Sequence, residues 1–291
     1  MTTTRPTDHG AHADPTLIFQ GEVAEIYRVR MPGGGSLVVK AFREPWPTEI
    51  RAYGLLARLG VPTLRHLVQP PNLLLLEDLT RSPGWRLATA ADLEASETGR
   101  AVAAWYRTLH QAGADLSAEY DGLPAWLPCE SELVTHSNVL RAASKLALAR
   151  TPGIRAALAG LPLLQAAYAA LPQTLTYNDF YWTNLALSRG EPTAALMFDL
   201  HLLGRGPACA DIRNVAGSLG PSAREAFLEG VGPVDLHHVA LDRPMASLHG
   251  LVVAASRPSL PRWARPLCQQ ARDGTLVADV AAALDAAKEL V

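Results

Sequence analysis

The feature that most constrains this chain is the point at which its strand-forming text gives way to helical text. Runs of β-branched, aromatic and leucine residues crowd into the first quarter, as Leu17-Ile18-Phe19, Ile26-Tyr27-Arg28-Val29, Leu37-Val38-Val39-Lys40, Leu67-Val68 and Leu73-Leu74-Leu75-Leu76. These short runs read as candidate strands. Gly33-Gly34-Gly35 lies between the second and third runs and reaches the positive φ angles of a tight reversal. With no Gly-Lys-Ser/Thr and no helix after it, the triplet reads as a hairpin tip and not as a phosphate loop. Pro70-Pro71-Asn72 separates the last two runs. Between them, Ile50, Tyr53, Leu55, Leu56 and Leu59 recur at near-helical spacing, with Pro47 before and Gly60 after. A five-strand unit with a single helix is expected.

After Glu77-Asp78-Leu79 the text turns Ala- and Leu-rich, and helices are expected over 90–111, 131–149 and 154–171. Three short strands interrupt them, at 174–176, 185–187 and 194–198, before helices resume from about Pro221. The expectation is an α+β chain of two lobes. Residues 1–15 form a flexible arm, 16–79 a small N-lobe with a hinge at its end, and 80–291 a larger, mainly helical C-lobe.

Charge and composition narrow the function. A net charge of -2 without a Lys/Arg stripe argues against a nucleic-acid partner. No apolar run approaches the roughly 20 residues that span a bilayer. The three cysteines are widely spaced and form no Cys-x-x-Cys pair, which fits a reducing, cytoplasmic compartment. His237-His238 are adjacent, so on a helix they point about 100° apart and read as a solvated pair, not a metal site. Oligomeric state is not legible.

Chemistry concentrates in the segment Thr176-Tyr177-Asn178-Asp179-Phe180-Tyr181-Trp182-Thr183-Asn184. It sets an acid and an amide at Asp-x4-Asn spacing between two expected strands, and Asp199 ends the next strand. Phosphoryl transfer needs such a set: one acid to orient a hydroxyl and accept its proton, and oxygen ligands to hold magnesium across phosphates. Phe180 reads as core, whereas Tyr181 or Trp182 is placed to border an acceptor cleft.

These residues, and the order of parts around them, resemble the aminoglycoside phosphotransferase and choline kinase-like families of the protein-kinase-like fold. Val38-Val39-Lys40 is similar to the third-strand lysine that contacts the α- and β-phosphates, and Glu49 to its ion-pair partner. Glu77 and Leu79 lie in the segment similar to the hinge that meets adenine. Gly21 is the single glycine of the nucleotide loop, Gln20 to Glu25. Gly204-Arg205-Gly206-Pro207 leads to Asp211, similar to the structural aspartate of these phosphotransferases. The resemblance implies ATP and Mg2+ as cofactors, Asp179 as catalytic base, and Asn184 and Asp199 as metal ligands.

The short interval from Lys40 to Glu49 and the absence of an Ala-Pro-Glu sequence favour the small-molecule branch over protein kinases. Tyr177-Asn178-Asp179 stands where His-Gly-Asp or His-Arg-Asp is usual, and a Tyr hydroxyl can take over a His role that is mainly structural. Asp199 is followed by Leu200-His201 in place of Phe-Gly.

The expected activity is an ATP-dependent O-phosphotransferase acting on a small hydroxylated acceptor, with antibiotics among the candidates. Two alternatives stand beside it: a pseudokinase that binds nucleotide or a partner without turnover, and a metabolic kinase for choline, an amino acid or a sugar. Glu225, Glu229, Asp235 and Asp242 read as acids on exposed helix faces. From Ala195 to Val291 there are 10 acids and 9 Lys/Arg, so no strongly anionic acceptor lobe is expected.

Overall fold

The computed structural model describes residues 15–290 apart from Gly33 and Pro70. The expected arm, except for Pro15, therefore lies outside the described residues, as do the first glycine of the hairpin tip and the first proline of the Pro-Pro-Asn turn.

The five expected strands form one antiparallel sheet. They are β1 (Thr16–Gln20), β2 (Ala24–Arg30), β3 (Ser36–Phe42), β4 (His66–Gln69) and β5 (Leu73–Glu77), in the order β1-β2-β3-β5-β4. Lys40 pairs with Ile26 on one side and Leu74 on the other, which places it in the central strand. The helix α1 (Thr48–Arg58) buries Ile50, Ala52, Tyr53, Leu55 and Leu56, and Gly60 ends it with φ 70°. Each large apolar side chain withdrawn from water contributes about 1.5–3 kcal/mol, which fixes which face of α1 turns inward. Glu49 is carried in with that face and is 1% exposed.

Two small sheets were not expected in full. β6 (Trp85–Leu87), β8 (Leu185–Ser188) and β9 (Ala195–Met197) form a three-stranded sheet, while β7 (Thr174–Thr176) pairs with β10 (Gly204–Gly206). β8 and β9 are antiparallel, with Leu185 opposite Met197. That register brings the loop entering β8, which carries Asp179 and Asn184, alongside the exit from β9, which carries Asp199.

The helices of the remainder are α2 (Ser96–Tyr120), α3 (His136–Lys145), α4 (Pro152–Ala170), α5 (Ala208–Ser218), α6 (Pro221–Val231), α7 (Leu236–Ser256), α8 (Arg265–Asp273) and α9 (Thr275–Leu290). Three expected boundaries are corrected. The helix read over 90–111 is a short 3-10 turn, 90–94, opened by a Thr89–Asp92 capping box, and then a separate helix that runs on to Tyr120. The helix read over 131–149 is likewise split, because Thr135 accepts a hydrogen bond from the Asn138 amide and starts α3 afresh. Helices resume at Ala208, directly after the extended Pro207, and not at Pro221.

Two apolar cores result. One runs without a break from the five-stranded sheet through Leu76, Leu79, Ala88 and Leu93 into α2, α5 and α6. The other joins α3, α4, α7, α8 and α9. α2 approaches β7 so closely at Gly113 that a Cβ there would lie 2.2 Å from the Leu175 amide nitrogen. This contact sets the height of β7, and the loop that follows β7 carries the site.

Candidate active site

Lys40 brings together residues far apart in the chain. Its Nζ lies 2.5 Å from Glu49 Oε2 and 2.8 Å from Asp199 Oδ1. Burial opposes the charge on Lys40, but the two carboxylates outweigh it and hold the ammonium pKa above its ordinary value. Burial raises the Glu49 carboxyl against the pull of Lys40. For Asp199 the balance reverses: a hydrogen bond from His201 and the charge of Lys40 overcome burial and hold the carboxyl well below the usual range.

The loop after β7 is shaped from beneath. Asp211, fully buried in the first turn of α5, accepts from the backbone amides of Tyr177 (3.1 Å) and Asn178 (3.1 Å), and its Oδ2 lies 3.0 Å from His110 Nε2. Asn178 adopts φ 65°, a left-handed conformation that Asn tolerates better than most residues. Its side chain ties the turn to Thr176 Oγ1 and the Leu202 carbonyl. Tyr177 is fully buried against Trp105, and its hydroxyl donates to the Phe198 carbonyl at 2.5 Å. Tyr177 thus ties the Asp179 loop directly to the residue before Asp199.

Asp179 and Asn184 meet: Asn184 Nδ2 donates to Asp179 Oδ2 at 2.8 Å and to the Asp179 carbonyl at 3.2 Å. Burial, with Asp199 adding to it, raises the Asp179 pKa above the ordinary aspartate value despite His201 and Asn184. Its Oδ1 accepts no hydrogen bond among the described residues. An exposed-facing carboxylate oxygen with a raised pKa has the properties of a general base.

The residues present also fit a hard divalent cation. Asn184 spends its NH2 group on Asp179, which leaves the amide oxygen, met only by the Thr183 hydroxyl at 3.5 Å, as a ligand, and Asp199 Oδ2 has no partner among the described residues while Oδ1 serves Lys40 and His201. These are oxygen donors of the kind Mg2+ takes alongside phosphate. Among the described residues no cluster of three or more His, Cys, Asp or Glu stands ready to hold a metal unaided.

The expected nucleotide contacts are placed less uniformly. Leu79 follows β5 with a buried side chain, and neither its N–H nor its C=O has a partner among the described residues. The Glu77 amide is already given to the Arg65 carbonyl and its carboxylate accepts from Ser82 Oγ at 2.5 Å, so its side chain serves the fold. Asp78 between them is bound by Arg28 (2.7 Å), Ser36 (2.6 Å) and Thr80 (2.7 Å). Gly21 turns its amide into its own hairpin, to the Ala24 carbonyl at 3.0 Å, and a Cβ there would lie 2.8 Å from the Phe19 ring. In this conformation Gly21 shapes the turn and offers no amide to a phosphate.

Sequence reasoning passed over His201 and His110. His201 Nδ1 lies 2.9 Å from Asp199 Oδ1, and that bond raises its pKa. The signal was the His two residues beyond Asp199. His110 gave none, because its partner lies 101 positions away.

Phe180 is buried as expected and Tyr181 is 52% exposed, its ring 5.8 Å from that of Trp182. Asp242 is not an exposed helix-face acid: it is buried between Arg213 (2.5 Å) and the Tyr168 hydroxyl (3.1 Å). Asp235 caps α7, and His237 and His238 approach Glu289 and Asp235 separately.

No protein-family model matches this sequence, and no sequence among curated proteins does. Solved structures do. Choline kinase LicA from Streptococcus pneumoniae is similar at 12% identity and a TM-score of 0.58, over 90% of this chain and 92% of that one. The complex of LicA with AMP matches at 10% identity and a TM-score of 0.58, over 92% and 91%. Macrolide 2′-phosphotransferase MphH from Brachybacterium faecium matches at 18% identity and a TM-score of 0.55, over 91% and 93%. The chain therefore has the two-lobed protein-kinase-like fold that these small-molecule kinases share.

Proposed function

From that fold as premise, we propose that this protein is an ATP- and Mg2+-dependent O-phosphotransferase acting on a small hydroxylated molecule. The observation that carries the reading is Lys40 bound at once to Glu49 and Asp199, beside a loop in which Asp179 is oriented by Asn184. A purely structural ion pair would not need a second, half-exposed carboxylate or an adjoining base with a raised pKa. The full polar set also favours turnover over a pseudokinase.

In this reading the unpaired backbone groups of Leu79 meet the adenine, and Lys40, steadied by Glu49, contacts the α- and β-phosphates. That LicA is solved in complex with AMP supports a nucleotide ligand for this fold. Asn184 and Asp199 hold Mg2+, which when bound neutralises charge on the phosphate oxygens. Asp179 takes the proton of the acceptor hydroxyl through Oδ1 and aims that oxygen at the γ-phosphate. The free cysteines and the use of ATP suit a cytoplasmic setting.

The acceptor we infer is not polycationic. The segment 128–132 abuts the Asp179 loop, because the Pro128 carbonyl accepts from the Arg205 amide and Gly204 packs against both Pro128 and Asn178. Two acids of this region and its neighbours are paired with arginine, Glu132 with Arg205 and Asp242 with Arg213. That leaves little negative potential for an aminoglycoside and favours neutral or singly charged acceptors, among which macrolide-like, sugar or choline-like alcohols remain. The test is a panel of hydroxylated acceptors with ATP and Mg2+, alongside Asp179→Ala. Phosphate transfer to one class, lost in the variant, supports the reading. Transfer that survives Asp179→Ala overturns the mechanism, and bound nucleotide without any turnover favours the pseudokinase.

A further inference from the structure

α1 meets the Asp199 segment at two points one helical turn apart. At the first, Glu49 holds Lys40, and Lys40 holds Asp199 Oδ1. At the second stands Tyr53, four residues further on and therefore on the same face of the helix. Tyr53 is fully buried, its ring 4.9 Å from His66, yet its hydroxyl has no hydrogen-bond partner among the described residues. Glu49 Oε1 is buried and likewise without a partner among the described residues. A phenylalanine ring would fill the same core position without leaving a buried polar atom unsatisfied.

Burial raises the pKa of this hydroxyl, the Asp199 backbone opposes the rise, and the Asp199 N–H itself has no hydrogen-bond partner among the described residues. Asp199 adopts φ 60°, a left-handed conformation that a non-glycine residue keeps only when its surroundings hold it. The turn that follows, Leu200–Leu202, packs directly on α1. Small movements of α1 are therefore felt at Asp199 through side chain and backbone together.

We propose that Tyr53 is a positioning residue for the nucleotide site: its hydroxyl accepts from the Asp199 amide when the site closes on Mg2+ and nucleotide. That bond keeps Asp199 in the left-handed conformation in which Oδ1 faces Lys40 and the other carboxylate oxygen stays available to the metal. Glu49 and Tyr53 then act as two arms of one clamp, so α1 sets both the lysine and the aspartate. The proposal rests on the reading of Asp199 as a metal ligand.

Tyr53→Phe keeps the ring and removes one oxygen. Calorimetric ATP affinities with and without Mg2+ should separate positioning from packing. The expected result is a thermal midpoint near that of the parent and a metal-free ATP affinity within two-fold of it. The gain in affinity on adding Mg2+ should fall ten-fold or more, with a matching rise in the Mg2+ concentration needed for half-maximal rate. A Mg2+-dependent gain within two-fold of the parent overturns the proposal, and so does an equal loss of affinity with and without metal. Asp199→Asn is run in parallel. If the parent itself gains nothing from Mg2+, the metal-site reading fails first and takes this proposal with it. In the unsubstituted protein, amide exchange at Asp199 should slow when ATP and Mg2+ are added together, and unchanged exchange also overturns the proposal.

Discussion

Replacing Tyr177 with Phe isolates the contact that joins the two halves of the site. The ring is fully buried and makes an edge contact with Trp105, 5.8 Å between centroids, and Phe preserves both. Only the oxygen is lost, and with it the 2.5 Å hydrogen bond to the Phe198 carbonyl. The substitution leaves that carbonyl without its partner, and an unsatisfied buried acceptor costs about 1–3 kcal/mol. For a chain of this length the same figure lowers the thermal midpoint by roughly 2–6 °C.

The loss falls between Asp179 and Asp199, so kcat should drop with it. If the whole cost appears in the transition state, the drop is about 5- to 150-fold, and less if the loop relaxes. Urea denaturation and initial rates at saturating ATP measure the two effects on one preparation. A stability within 0.5 kcal/mol of the parent, the range of an ordinary surface change, together with an unchanged kcat, would refute the assignment of Tyr177 as the tie between the two segments.

Asp179→Asn should reduce kcat by about 10²- to 10⁴-fold, as expected for removal of a general base, while calorimetry finds nucleotide affinity retained. The same variant should unfold at a higher temperature near neutral pH. The folded-state pKa of Asp179 is raised, so its ionised form works against folding above that pKa, and Asn carries no charge to bury. A lower melting temperature would contradict that sign.

Asp78 behaves in the opposite way. Burial works against its charge, but Arg28, Ser36 and Thr80 outweigh it and bring its pKa to about 2 from an ordinary 3.8. Its contribution, about 2 kcal/mol by linkage, is complete above pH ~4 and is lost as pH falls toward 2. Acid titration of stability should therefore flatten in this window for Asp78→Asn, and an unchanged profile would exclude the pairing as a source of acid sensitivity. Gly113→Ala drives a Cβ to 2.2 Å from the Leu175 nitrogen, so a loss of about 1–3 kcal/mol or more is expected, with β7 and the Asp179 loop displaced. Chemical denaturation and rate measurements check it, and a neutral result would show that α2 and β7 can part freely.

The sequence alone determined whatever depends on near neighbours. The five strands and α1 followed from apolar periodicity and from Pro and Gly at the breaks, because burial of one face is set by residues two to four positions apart. The order of Lys40, Glu49, Asp179, Asn184 and Asp199 along the chain could be read through the resemblance of their segments to those of small-molecule phosphotransferases.

Only the tertiary structure decided which of these polar groups meet. β6 and β10 are three residues long, and the text of β10, Gly204-Arg205-Gly206, has no strand preference of its own; it is a strand because β7 lies beside it. Asp242 reads as a solvated acid until Arg213, from another helix, covers it. His110 and Asp211, Tyr177 and Phe198, and Lys40 and Asp199 are pairs separated by between 21 and 159 positions. No local pattern encodes such pairs: their strength comes from the low-dielectric interior that the packed chain creates, and that interior exists only once the strands and helices have come together.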